Sequence, residues 1–382
     1  MISKFSNWDI NKFNMSEHPE YVAIRNIVTN HRDHAFILVG EGNSYGHFRS
    51  DNIDFYNLKA DTKPSYVLSS IIKFALPLLL RPSSVVSLGG ARSLIPFGVS
   101  TFVTRVRFVP VITTEISYGS KVVPSPLRNI VTFALKATFK NSYSILAISK
   151  SIVNEIIHDY CIDPKKVHLY RYRISEIFNP LVTKHLKSYL NPIGPVVMTV
   201  CRMDPGKGLE YLISASAIIA KNIPNVKIVI KGSSYRSSPP SMRKYEEKLR
   251  QQIRELKLDE RVAILDFSPY SEIPEYMSAA DVFVLPSISE GLGLVILEAM
   301  ATGVPVVASR VGGIPDILIN EHNGLSVEPR DVEGLAEAIA RILSDEKLKK
   351  RLIEGGLITI RGMKENELEI LLSRFMFNDN AR

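Results

Sequence analysis

Short, nearly continuous apolar runs recur along the chain, separated by stretches in which apolar residues return every three or four positions. In the first half the runs are Ala35–Val39, Ser84–Leu88, Val109–Thr113 and Ser144–Ile148, with a weaker one at Val167–Tyr170. Their length and closure on turn residues predict buried strands. Glu17–Asn30 and Ser149–Tyr160 carry the helical period instead. The second half repeats the alternation, with strands at Val196–Val200, Val226–Ile230, Val262–Leu265, Val282–Leu285 and Val304–Ala308. Helices are expected over Leu209–Lys221, Met242–Lys257, Ile273–Ala280, Val295–Ala301 and Val332–Ser344. Strands that are apolar throughout and alternate with helices predict parallel sheets covered on both faces.

Turn chemistry without apolar period at Asn191-Pro192-Ile193-Gly194-Pro195 marks a boundary within residues 180–195. A chain of 382 residues also exceeds what one core usually serves. The expected fold class is therefore α/β, with two doubly wound parallel-sheet (Rossmann-like) domains facing each other across a cleft. Ligands would sit at the carboxyl ends of the strands. The domains are placed at 1–185 and 195–360, with 361–382 as a C-terminal helix packing back on the first.

Composition narrows the class. Hydrophobic residues at 45% and charged residues at 23% are ordinary for a globular protein. Cys161 and Cys201, the only cysteines, stand far apart and outside any ligand spacing, which predicts a reducing compartment without a disulfide or thiolate metal site. The apolar run Ile71–Leu80 is interrupted by Lys73 and Pro77, so it is too short to span a bilayer. Met1 to Asp9 lacks the pattern of a signal peptide, and a cytoplasmic location is expected. His31, His34 and His158 show no metal-ligand spacing and are read as surface residues; no metal is expected.

Charge is uneven. Between Pro64 and Lys150 ten basic residues face a single acid, Glu115, within a formal net charge of +8. Such a bias implies an anionic partner. Tyr66–Arg81 and Leu127–Lys140 mix that charge with large apolar residues, which fits helices lying on an anionic membrane surface or helices packed on a core with a solvated basic face. A nucleic-acid partner is not expected, because no recognition module with interleaved aromatics is present. Gly40-Glu41-Gly42-Asn43-Ser44-Tyr45-Gly46 approaches a dinucleotide fingerprint, but its last spacing is one residue too long and no helix follows.

The candidate chemistry gathers at two strand-to-helix turns. Glu290-Gly291-Leu292-Gly293-Leu294-Val295-Ile296-Leu297-Glu298 leads from the strand Val282–Leu285 into a helix, with Glu290 in the loop and Glu298 on the second helical turn. Its glycines let a ligand approach the backbone, and the first-turn N–H groups favour an anion. Earlier, Cys201-Arg202-Met203-Asp204-Pro205-Gly206-Lys207-Gly208 follows the strand Val196–Val200. A guanidinium and an ammonium five residues apart can clamp a diphosphate.

Arg202 and Lys207, Ala280 to Ser287, Glu290 to Glu298, Gly303 to Ala308, Val311-Gly312-Gly313-Ile314-Pro315-Asp316 and Asn323-Gly324 together resemble the GT-B retaining glycosyltransferases of family 4 over residues 196–345. In the first half only Ile148-Ser149-Lys150 through Phe178-Asn179-Pro180 resembles the family. The resemblance implies an N-terminal acceptor-binding domain and a C-terminal domain that binds a nucleoside-diphosphate sugar, with UDP-sugar favoured over GDP-sugar and no cofactor. Arg202 and Lys207 would hold the donor diphosphate and act with Glu290 in catalysis, Glu290 contacting the transferred sugar. Glu298 would accept from the ribose hydroxyls, the backbone of Gly291, Leu292, Gly293 and Leu294 would line sugar and phosphate, and the segment Asp266-Phe267-Ser268-Pro269-Tyr270 would lie near the base. These residue types suit a departing diphosphate without a divalent metal.

Two positions depart from the family pattern. The first strand should run into a glycine pair, where this chain has Phe5-Ser6-Asn7-Trp8, and the histidine expected after Val109–Thr113 is replaced by Thr114-Glu115-Ile116-Ser117. Glu115 is the candidate active-centre residue there. The expected reaction is transfer of a hexose, with retention, to an acceptor hydroxyl on a glycan or lipid-linked acceptor at the cytoplasmic face of a membrane. A soluble sugar acceptor, a sugar-nucleotide epimerase or phosphorylase, and a nucleic-acid-binding protein are the alternatives.

Overall fold

The structure is a computed structural model that describes residues 2–3, 19–31, 33–42, 46–50, 53–59, 63–80, 82–88, 91–116, 125–182, 185–190, 193–232, 240–363 and 367–377. It divides into two units, Met1–Arg173 with Glu365–Arg382, and Ile174–Lys364. The division falls about twenty residues before the proline-rich turn that marks it in sequence. Residues 174–190 lack an apolar strand to reveal which core they join, yet Phe178 is buried and its ring meets Tyr270 of the second unit at 5.3 Å.

The first unit is built on an eight-stranded sheet ordered β3-β4-β2-β1-β5-β6-β7-β8. Its strands are β1 (Ile2–Ser3), β2 (Phe36–Gly42), β3 (Gly46–Ser50), β4 (Ile53–Lys59), β5 (Ser84–Leu88), β6 (Arg107–Ile112), β7 (Ile145–Ala147) and β8 (Val167–Leu169). All neighbours are parallel except β3 and β4. The glycine-rich run is thereby explained: Gly40–Gly42 continue β2 and Gly46 opens β3, so both ends are extended strand. The expected first strand is present as β1 between β2 and β5, while Phe5 to Trp8 lie outside the described residues. The helices are α1 (Pro19–Asn30), α2 (Lys63–Leu80), α3 (Ala91–Thr104), α4 (Ser125–Asn141) and α5 (Lys150–His158). Ser149 caps α5 by accepting from Ile152 N–H at 3.3 Å.

The second unit holds six parallel strands ordered β11-β10-β9-β12-β13-β14. They are β9 (Val196–Val200), β10 (Lys227–Lys231), β11 (Val262–Leu265), β12 (Val282–Leu285), β13 (Val306–Ser309) and β14 (Leu325–Val327). The helices of this unit are α6 (His185–Leu190), α7 (Leu209–Asn222), α8 (Pro240–Glu255), α9 (Ile273–Ser278), α10 (Leu294–Ala301), α11 (Val332–Ser344) and α12 (Glu346–Arg361). Leu212, Ile228, Val282, Ile339 and Leu352 belong to one buried cluster that joins the sheet to helices α7, α11 and α12. The amino-terminal ends of β9 and β12 are tied by Asp281, which accepts from Val196 N–H at 2.9 Å and from Lys187 at 2.7 Å. Burial pushes the Asp281 carboxyl up, but Lys187, the Val196 N–H and Lys349 outweigh it and hold the group below the usual range.

The last helix, α13 (Glu367–Phe377), is grouped with the first unit. Leu368, Leu372 and Phe375 are buried, Asn26 donates to Glu369 at 2.8 Å, and Arg171 N–H donates to Glu367 at 2.9 Å. Phe377 stacks on the His31 ring at a centroid distance of 3.9 Å. His31 is thus half-buried under an aromatic ring, contrary to its reading as a surface residue.

Candidate active site

The second sheet runs outward in both directions from β9: β10 lies on one side and β12 on the other. The chain leaves β9 for β10 on one side and leaves β12 for β13 on the other, so the connections after these two adjacent strands turn in opposite directions. This is the topological switch point at which open α/β sheets bind ligands. The two turns that carry the candidate chemistry are those same two loops, Cys201–Gly208 after β9 and Pro286–Gly293 after β12.

The loops are held together through their backbones. Ile288 N–H and Ser289 N–H both donate to Gly206 O, at 2.8 and 3.3 Å. Gly208 adopts φ +60, and a Cβ there would lie 2.2 Å from Pro286 O, so only glycine permits this approach. Side chains complete the junction. Lys207 Nζ meets Glu290 Oε2 at 2.5 Å, and Ser287 Oγ donates to the same oxygen at 3.2 Å. Both charged side chains are largely withdrawn from water, at 17% and 14% exposure. Gly313 N–H donates to Glu290 O at 3.3 Å, bringing the Val311 to Asp316 turn to the same place. Arg202, on the same loop as Lys207, is exposed. Burial pushes the neighbouring Cys201 thiol up to about 11, so it stays protonated and unreactive.

Helix α10 starts at Gly293, which has φ +82 and brings no side-chain cap. Gly291 and Leu292 are buried and Leu294 is half-buried. The helix sequence Leu-Val-Ile-Leu-Glu-Ala-Met-Ala carries one polar group, Glu298, which is buried. Burial raises its carboxyl to about 7, partly offset by the O–H of Tyr270, which donates to Oε1 at 2.7 Å. Tyr270 stands in the short turn after β11 that also carries Phe267, half exposed, and Ser268, buried. Lys231, buried at the end of β10, donates to Asp266 O at the base of that turn and lies 4.1 Å from the Tyr276 ring centroid. The carboxyl ends of β9 to β12 and the helix that follows thus deliver two bonded ammonium groups, Lys207 and Lys231, two carboxylates and an aromatic hydroxyl.

The structure joins Lys207 to Glu290 directly and links Glu298 to the Phe267–Ser268 turn through Tyr270. Glu115 belongs to the first unit, half-buried three residues beyond β6. Ser287 and Lys231 are not singled out by sequence reasoning, and Tyr270 is placed there near the base but not against Glu298. The available signal was a lone carboxylate in an otherwise apolar helix, which demands a partner, and a lysine closing the apolar strand that starts at Lys227.

Residues 184–357 match the family described as Glycosyl transferases group 1. The chain carries a glycosyl transferases group 1 domain. That domain covers both loops of the switch point. The chain is 30% identical over 221 residues to the D-inositol 3-phosphate glycosyltransferase of Corynebacterium glutamicum, an alignment covering 55% of this chain and 51% of that protein. It therefore spans about half the length of that curated relative. Among solved structures, sucrose-phosphate synthase from Thermosynechococcus elongatus superposes with a TM-score of 0.75 at 21% identity, covering 97% of this chain and 96% of its own. Anabaena HepE in complex with UDP-glucose gives 0.71 at 17% identity, covering 98% and 97%. At such identities the likeness establishes the fold: two parallel-sheet α/β units of the GT-B type, the second holding the group 1 domain.

Proposed function

We propose that the protein transfers a hexose from a nucleoside-diphosphate sugar to an acceptor hydroxyl with retention at the anomeric carbon. The observation that carries this reading is the convergence of Lys207, Glu290 and Ser287 at the switch point, one helix away from the buried Glu298. Lys207 and Arg202 take the donor diphosphate, whose arrival competes with Glu290 for the Lys207 ammonium and leaves Glu290 to accept from hydroxyls of the sugar. Glu298 accepts from the vicinal ribose hydroxyls, which carboxylates recognise through paired acceptor oxygens. The backbone from Gly291 to Leu294 and the first turn of α10 face sugar and phosphate, and Phe267 and Ser268 flank the base.

As the glycosidic bond to phosphate breaks, negative charge grows on the leaving oxygen. Lys207, Arg202 and the α10 terminus offset it, and that oxygen takes the acceptor proton on the same face. No metal is required on this route, so chelation should leave the rate unchanged. UDP-sugar is the favoured donor, a preference supported by the UDP-glucose complex of HepE. The acceptor is a glycan or lipid-linked saccharide met by the first unit at the cytoplasmic face of a membrane, where Glu115 is the candidate active-centre group. A soluble acceptor is the second reading, favoured by the inositol phosphate in the name of the Corynebacterium relative.

The test is a binding and turnover screen with UDP, GDP and ADP sugars, with Glu298→Ala as control. Donor binding weakened at least about tenfold by that substitution supports the ribose contact, and unchanged binding refutes it. Product of inverted anomeric configuration would overturn retention. Free sugar phosphate formed with phosphate and without acceptor would make the protein a phosphorylase.

A further inference from the structure

Three neighbouring helices of the first unit bury apolar residues such as Leu94, Phe97, Leu135 and Phe139, yet also show large apolar side chains to solvent. In α3, Ser100 and Thr101 are buried, and their hydroxyls donate back to Phe97 O at 3.1 and 2.7 Å. The opposite side shows Val99, Phe102 and Val103 to solvent, Phe102 at 61% exposure. In α4, Thr138 is buried while Ile130 and Phe133 are exposed, Phe133 at 75%. In α2, Lys73 is buried whereas Ile71, Phe74 and Leu79 are exposed, Leu79 at 78%. Helix α3 packs against both α2 and α4. Gly98 permits its close approach to α4, since a Cβ there would lie 2.3 Å from Thr138 Cγ2. The outward stripes are spaced as one helical face, with Val99, Phe102 and Val103 at i, i+3 and i+4.

Charge identifies what covers this face. Helices α2, α3 and α4 contain no acidic residue. Arg128, Lys136 and Lys140 on α4, and Arg105 just beyond α3, are all exposed. None of the four makes an ion pair among the described residues. Helical spacing places Lys136 and Lys140 beside Phe133 on the outer face of α4. By contrast α8 of the second unit intersperses Glu246, Glu247 and Glu255 with its arginines and lysines, as a solvated helix does. Large apolar groups fringed by cations alone match a surface that is apolar beneath and anionic above. No described helix is long and apolar enough to cross a membrane, so contact would be along the surface.

We propose that α2, α3 and α4 form a docking face for an anionic lipid bilayer, with Phe102 and Phe133 entering the acyl boundary and Lys136, Lys140 and Arg128 at the headgroups. The face stands on its own exposures and charges; only its meaning, that the acceptor is met at the bilayer, rests on the transfer reaction proposed above.

The test is flotation of the full chain with vesicles of phosphatidylcholine alone and of phosphatidylcholine mixed equally with phosphatidylglycerol, alongside UDP-sugar binding and sedimentation. Binding to the mixed vesicles at least about tenfold tighter than to the neutral ones is expected, weakening as salt is raised. Lys136→Gln and Lys140→Gln should each reduce it about fivefold. The pair Phe102→Ser and Phe133→Ser should reduce it about tenfold or more, with donor binding and melting temperature unchanged. Glu298→Ala should leave vesicle binding intact, which separates failure of the docking face from failure of the transferase reading. Equal binding to both vesicle types, no binding to either, or a dimer dissociated by the phenylalanine variants would overturn the proposal, the last assigning the face to a second copy of the chain.

Discussion

At the scale of single residues, Glu298 makes stability depend on pH. Its carboxyl is raised from 4.5 to about 7 by burial, so the folded chain retains a proton that the unfolded chain has lost. The associated stability is fully present below about 4.5 and is gone once pH has risen through about 7, a swing on the order of 3 kcal/mol at most. Glu298→Gln should flatten the dependence of melting temperature on pH across that window and leave the unliganded protein more stable at pH 8. Ribose hydroxyls donating to the carboxylate would lower its pKa, so donor binding should release about half a proton at pH 7, more near pH 6, and tighten as pH rises towards 8. Calorimetry in buffers of different ionisation enthalpy measures that proton directly; no release, or release retained in Glu298→Gln, counts against the ribose contact. Tyr270→Phe keeps the ring against Phe178 but removes the O–H that lowers the Glu298 pKa. The midpoint of donor affinity should therefore move to higher pH, with affinity at pH 7 weaker by roughly tenfold.

At the scale of elements, the site depends on two loops that touch only because Gly208 lacks a side chain. Gly208→Ala would set a Cβ 2.2 Å from Pro286 O at φ +60. Separating the loops should cost about 1–3 kcal/mol, seen as a lower melting temperature and a donor KM raised more than kcat is lowered. What could be read from sequence follows the same physics. The strands β12 and β13 are buried throughout, and β9 and β10 at all but one end position, so their apolar runs are unmistakable, and Lys207, Glu290 and Glu298 follow them. The hairpin partners β3 and β4 escaped because Gly-His-Phe-Arg-Ser and Ile-Asp-Phe-Tyr-Asn-Leu-Lys mix polar and apolar residues at a sheet edge. Helix α12 escaped because Gly355-Gly356 reads as a break. In the fold a Cβ at Gly355 would meet His322 O at 2.1 Å, so the glycine serves close packing inside a continuous helix. The pairings of Tyr270 with Glu298 and of Lys231 with Asp266 are hidden for another reason: each joins residues far apart in sequence, and no local pattern encodes them.

At the scale of the whole molecule, the chain leaves the first unit at Arg173 and returns to it at Glu365, so α13 is a long-range closure on that unit's core. Leu368, Leu372 and Phe375 are buried there, and the Phe375 ring lies 4.9 Å from His168 of β8. Each such side chain contributes about 1.5–3 kcal/mol on burial, so their joint loss would consume much of the margin by which a domain is stable. A chain ended at Lys364 should accordingly lower the melting transition of the first unit by roughly 10 °C or more. The second unit keeps its sheet, its switch point and every contact of Lys207, Glu290 and Glu298, so donor affinity and the transition that donor protects should be unchanged. Donor binding lost together with the first transition would mean that the second unit cannot hold its site without α13, against the division of the chain into two separately cored units.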